Sequence, residues 1–75
     1  MKRFKVEFRY PNIKGDCDYI VEEAVRKPAI RKNLDKATNE RVVEFDFTTR
    51  LEAKRASYIT SKVPRDMKIK YEFKG

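Results

Sequence analysis

The chain has no histidine and a single cysteine, at position 17, and each shortage removes a class of function. Without histidine no side chain ordinarily titrates near neutrality, so acid/base catalysis would need a shifted carboxylate, lysine, cysteine or tyrosine, and no spacing singles one out. Enzyme activity is therefore not expected, and no cofactor is implied. One thiol cannot close an internal disulfide, and with no imidazole beside it there is no ligand set for structural zinc. No apolar run approaches the ~20 residues that cross a bilayer, and Met1-Lys2-Arg3 leads into a strand pattern, not a signal-peptide hydrophobic stretch. The expectation is a cytoplasmic protein with reduced Cys17 and no membrane partner.

Charge and apolar patterning are abundant. Nineteen Lys and Arg against twelve Asp and Glu leave a net charge of +7 on 75 residues. Leu, Ile, Val and Phe still make up 18 of the 75 residues, above the disordered range, so a folded chain is expected. Residues 1–75 form one domain with a small core, marginal in stability unless it pairs into a homodimer. A strongly basic surface attracts anionic partners, nucleic acid first and acidic protein surfaces second.

Three segments alternate apolar and polar residues at the strand period: Phe4, Val6, Phe8, Tyr10; Val43, Phe45, Phe47; and Met67, Ile69, Tyr71, Phe73. Such alternation implies a sheet buried on one face only. The first strand ends at Tyr10-Pro11-Asn12 in a surface loop. Residues 18–27 fit either element: Tyr19, Val21 and Val25 suit a strand, joined to the first by a turn at Gly15, whereas Glu22/Arg26 and Glu23/Lys27 are helix-favouring pairs. The β-branched content favours strand. Pro28 suits a first helical position and Ile30, Leu34 and Ala37 follow at helical spacing, predicting a short helix over 28–37 that Thr38-Asn39 ends. Thr49-Arg50-Leu51-Glu52 is a capping box opening an amphipathic helix over 50–62, with Leu51, Ala56, Ile59 and Val63 on one side and Pro64 beyond its end. A strand returning through that helix makes a β–α–β unit whose two strands run parallel. The expected fold is α+β, two-layered, with a mostly antiparallel sheet of three or four strands under the main helix, and a ferredoxin-like split arrangement as the variant.

Four groups of residues could carry chemistry. Asp16 and Asp18 flank Cys17, yet two loop carboxylates fall short of a calcium site and would raise the thiol pKa, so a solvated turn is the simpler reading. Glu44 and Asp46 share the open face of their strand, where paired carboxylates could act catalytically, but ion pairs with Lys5 and Arg9 or with Lys68 and Lys70 are the simpler use. The basic residues fall into two sets: Lys5, Arg9, Lys68, Lys70 and Lys74 on the first and last strands, and Arg26, Lys27, Arg31, Lys32 and Lys36 in the middle. If the first and last strands are neighbours, the sheet's open face becomes basic and the middle set forms a rim. Only Tyr10, Tyr19 and Tyr58 are candidates for exposed stacking aromatics, and no RNP1-like, KH or zinc-finger pattern occurs. The functional expectation is a non-catalytic, regulatory or accessory protein binding DNA or RNA through phosphate contacts, with weak sequence preference. The alternative is a protein-interaction module, an inhibitor or accessory factor docking on an acidic partner.

Overall fold

The computed structural model describes residues 3–12 and 17–74, the side chain of Thr60 aside. Eight residues of alternating pattern form β1, Phe4–Pro11, and eight more form β3, Glu40–Phe47. They pair antiparallel over their full length, from Phe4 opposite Phe47 to Pro11 opposite Glu40. The register aligns Val6 with Phe45 and Phe8 with Val43, which collects the apolar side chains on one face. Two further strands complete a four-stranded antiparallel sheet: β2, Arg31–Asp35, beside β3, and β4, Lys70–Phe73, beside β1, in the order β2-β3-β1-β4.

Two helices cover the apolar face. α1, Asp18–Val25, links β1 to β2, and α2, Arg50–Ser57, links β3 to β4. β1 and β2 run in the same direction with β3 between them, and β3 and β4 run in the same direction with β1 between them. Two interlocked split β–α–β units result, which is the ferredoxin-like connectivity. The parallel relation expected between the strands flanking α2 is met, with β1 inserted between them. The core joins Val6, Phe8, Tyr10, Val43, Phe45 and Phe47 of the sheet to Val21 of α1 and to Ala53, Ala56, Ile59, Val63 and Met67. Phe8 and Phe45 meet edge to face, with ring centroids 5.8 Å apart. Among the described residues no helix is long and apolar enough to cross a membrane.

Two segments depart from the sequence expectation, and they exchange identities. Residues 18–25 are helix, not strand. Cys17, Ile20, Val21, Ala24 and Val25 all pack toward the core at helical spacing, which outweighs the β-branched content. The Glu22 carboxylate does not pair with Arg26; it accepts the Ala29 N–H at 2.8 Å and the Lys32 ammonium at 3.4 Å, tying the helix to the following strand. The expected turn at Gly15 lies outside the described residues. Conversely, the helix expected over 28–37 is absent: residues 31–35 are β2 and residues 36–39 are the turn into β3. Ile30 donates its N–H to the Glu44 carbonyl at 2.8 Å, and pairing with the open edge of β3 decides the conformation. Asp35 accepts the Ala37 N–H at 3.0 Å and Asn39 takes the left-handed conformation that closes the hairpin.

The second helix starts as its capping box requires, with the Glu52 N–H donating to the Thr49 hydroxyl at 3.2 Å. It tightens into a 3₁₀ turn over Tyr58–Ser61, so helical structure spans nearly the expected range. Leu51, expected on the buried side, is exposed. The last strand is shorter than its alternation suggested: Met67 is buried in a 3₁₀ turn, Lys68 is left-handed, and β4 begins at Lys70.

Because Phe45 sits at the centre of β3 with no exposed surface, Phe45→Ala is expected to cost about 3–5 kcal/mol. That is as much as the whole net stability of so small a core. Urea unfolding followed by circular dichroism should show a largely unfolded Ala variant and a folded Phe45→Leu variant.

Candidate nucleic-acid interface

The face of the sheet away from the helices carries Lys5, Glu7, Arg9 and Pro11 from β1, Glu40, Val42, Glu44 and Asp46 from β3, Arg31, Asn33 and Asp35 from β2, and Lys70 and Glu72 from β4. It is mixed in charge, not basic. Glu7 and Glu44 face each other across the central strand pair and are only 4% and 8% exposed. Arg9 lies over this centre and reaches three carboxylates: Glu7 at 3.0 Å, Asp35 at 2.9 Å and Glu40 at 3.5 Å. Lys74 approaches Glu7 at 3.4 Å, Lys70 approaches Glu40 at 3.9 Å and Arg3 binds Asp46 at 2.7 Å. Burial alone would raise the Glu7 pKa, but the hydrogen bonds and charges of Arg9 and Lys74 prevail and hold it below the ordinary carboxylate value. The Arg9 hydrogen bond, helped by the Ala37 N–H, likewise lowers Asp35.

The sequence-derived cations therefore divide. Arg9, Lys32 and Lys70 are held by acids of this chain. Lys27 donates to the Asp46 carbonyl at 2.5 Å and lies 4.5 Å over the Phe47 ring. Lys5, Arg26, Arg31, Lys36 and Lys68 are exposed and in no ion pair among the described residues, but they are dispersed over the central strand β1, the α1 C-terminus, the edge strand β2, the hairpin after it and the turn before β4. Of Glu44 and Asp46, only Asp46 finds a cation among the described residues, and that cation is Arg3, not a lysine or arginine of a neighbouring strand.

Besides the expected Lys68, the second helix and the turns after it carry five cations that the sequence expectation missed. Arg50, Lys54, Arg55, Lys62, Arg65 and Lys68 are all exposed, and among the described residues none of them makes an ion pair. Glu52 and Asp66 are the acids of that stretch. Arg50 and Lys54 are one helical turn apart, with Tyr58 the next residue in the row. Those three line a cleft of about 230 Å³ with Ser57 and with Tyr71 and Phe73 of β4. Tyr58 is 71% and Tyr71 50% exposed. Tyr58 and Tyr19 are exposed as expected; Tyr10 is buried and Tyr71, expected inside, is at the surface. Tyr71 shares the inner face with its neighbour Phe8, yet β4 is the sheet edge and α2 leaves its outer side uncovered. The signal was available in the spacing of Arg50, Lys54 and Arg55, all of it on the most secure helix of the chain. A second cleft, between the helices, brings Arg26 and Lys27 together with Arg55.

A polar network at the far end of the core replaces the solvated turn expected around Asp18. Asp18 is buried, accepts the Tyr10 hydroxyl and is bound by the Arg41 guanidinium, while the Cys17 N–H donates to the Tyr10 oxygen at 2.9 Å. Asp16 lies outside the described residues. This network pins the start of α1 to the ends of β1 and β3. Burial and the Asp18 hydrogen bond raise the Tyr10 pKa well above that of an ordinary phenol.

Searches against protein-family models, curated protein sequences and solved structures found no match to this chain.

Two outcomes follow from these networks. Tyr10→Phe takes one donor from Asp18 and one acceptor from the Cys17 N–H, and should cost about 1–3 kcal/mol. Because the folded phenol pKa is raised, its contribution is complete below the unfolded value of about 10 and is lost as pH rises above it; urea midpoints should fall less steeply there in the Phe variant than in the parent. Glu7 and Asp35 have the opposite sign: their contribution is present above the unfolded carboxylate values of roughly 4 and is lost as pH falls through the lower folded ones. Arg9→Gln should raise both carboxyl pKa values in an NMR titration and move acid unfolding to higher pH.

Proposed function

We propose that the protein is a non-catalytic, accessory or regulatory binder of nucleic acid that contacts phosphates mainly through the second helix and the turns that follow it. The observation that carries this reading is the segregation of charge: the strands balance their cations with an equal number of acids and tie Arg9 and Lys70 into ion pairs, whereas Arg50, Lys54, Arg55, Lys62, Arg65 and Lys68 are exposed, have only Glu52 and Asp66 as acids in their stretch and, among the described residues, make no ion pair. Unpaired cations can exchange counterions for phosphates without first breaking an internal ion pair, which makes binding salt-steep and tolerant of sequence. Arg26, which shares the cleft between the helices with Arg55, extends the reach of this surface, while Arg9 and Lys70 serve the sheet.

The test is fluorescence anisotropy of the purified protein with short single- and double-stranded DNA and RNA at ~50 and ~200 mM salt. Saturable, salt-steep binding is expected. Charge reversal at Arg50, Lys54 and Arg55 together should weaken it and flatten the salt slope by about one unit for each phosphate that is no longer neutralised. Charge reversal at Lys5, which lies on the sheet's open face, should change little. Absence of binding at low salt would overturn the reading and transfer the basic surface to an acidic protein partner, to be sought by pull-down.

A further inference from the structure

We infer that the cleft between α2 and β4 is a base-stacking site, so that the nucleic acid bound is single-stranded, with its bases on Tyr58 and Tyr71 and its phosphates on Arg50 and Lys54. This rests on the nucleic-acid reading and adds to it the form of the ligand and the residues that select it.

Three observations converge on this cleft. Its aromatics are exposed although a core this small has every use for buried rings: Tyr58 and Tyr71 stand largely in solvent, with the partly buried Phe73 beside them. Its cations make no ion pair among the described residues and share the helix face with Tyr58 at four-residue intervals, so charge and ring surface run together along one line. Its size, about 230 Å³, is below the ~300–1,000 Å³ of pockets that enclose a whole small molecule, and an open cleft suits flat rings entering from the side. Ser57, the remaining polar group of the cleft, donates its hydroxyl to the Lys54 carbonyl at 2.6 Å. The cleft therefore offers ring surface and positive charge, the combination that binds single strands without reading their sequence. A duplex keeps its base faces stacked inside and can use only the cations.

The sheet's open face is the weaker rival: its cleft of about 300 Å³ between β1 and β4 has Tyr71 as its one ring, is lined by Glu7 and Glu72, and its Arg9 and Lys70 are already paired with acids of the sheet. Tyr19, exposed on α1, does not line the cleft and serves as a control.

The experiment compares a ~12-nucleotide labelled single strand, within the range of sites of this kind, with the duplex of the same sequence, using the parent protein, Tyr58→Ala/Tyr71→Ala, Tyr58→Phe/Tyr71→Phe and Tyr19→Ala. The parent should prefer the single strand. The double Ala variant should lose about tenfold or more of that affinity for each base unstacked, with duplex affinity and salt slope kept. The double Phe and Tyr19→Ala variants should bind like the parent. Circular dichroism checks the fold of each variant, and quenching of the parent's tyrosine fluorescence by the single strand but not by the duplex tests the site without any substitution. Equal parental affinity for both forms with no selective quenching, or an Ala variant unchanged on the single strand, would overturn the stacking site and leave phosphate binding standing. No binding to either form at low salt would overturn both.

Discussion

The pairing of β1 with β3 organises this molecule on both of its faces. Eight residue pairs fix the register, and a slip of one residue would carry Val6, Phe8, Phe45 and Phe47 to the open side while turning Glu7 and Glu44 into the core. In the register adopted, the same ladder that closes the apolar layer also sets two buried carboxylates side by side, an arrangement destabilising by itself. Arg9 resolves it, because its guanidinium reaches Glu7, Asp35 and Glu40 from a position over the strand junction. The aliphatic part of such a side chain can also shelter apolar groups beneath it, consistent with the burial of Val42, its register partner, on the open face.

This local solution has a consequence for the whole surface. Acids and bases on the sheet neutralise one another, so most of the net charge of +7 must sit elsewhere, on the second helix, its following turns and the exposed ends of other elements. The helix also has mechanical support for such a role. Ala53, Ala56, Ile59 and Val63 anchor it to the core, and its outer row is free to carry charge without loss of packing.

What the sequence discloses depends on whether local pattern or distant pairing decides each segment. β1 and β3 were legible because their alternation is long and uninterrupted, and α2 was legible because Thr49 and Glu52 mark its start chemically. The reversal at 18–35 has the opposite cause. Ile30 and Leu34 are four apart, a spacing that a helix and an alternating strand both satisfy, and only the free edge of β3 selects the strand. Asp18 illustrates a related limit: beside Cys17 and Asp16 it reads as part of a solvated loop, and its burial depends on Tyr10 and on Arg41, 23 residues away. Site residues followed the same division. The cations themselves were readable, but which of them are cancelled by acids is a property of strand order, and Lys5, Arg9 and Lys70 share a face with acids of every neighbouring strand.

Under the proposed reading, the same cancellation is the reason to place a nucleic acid away from the sheet's open face. A polyanion laid on that face would have to draw Arg9 and Lys74 from Glu7, exposing two adjacent, poorly hydrated carboxylates to each other and to the incoming phosphates. Breaking a buried ion pair by removing one partner is among the costlier changes a protein can undergo. On the α2–β4 rim no such exchange is required. Arg50 and Lys54 face water and Tyr58 and Tyr71 are already exposed, so a ligand there displaces solvent and counterions only. The internal charge balance that stabilises the sheet thus favours, for the proposed anionic ligand, the helical layer at the edge where the short β4 strand leaves Tyr71 uncovered.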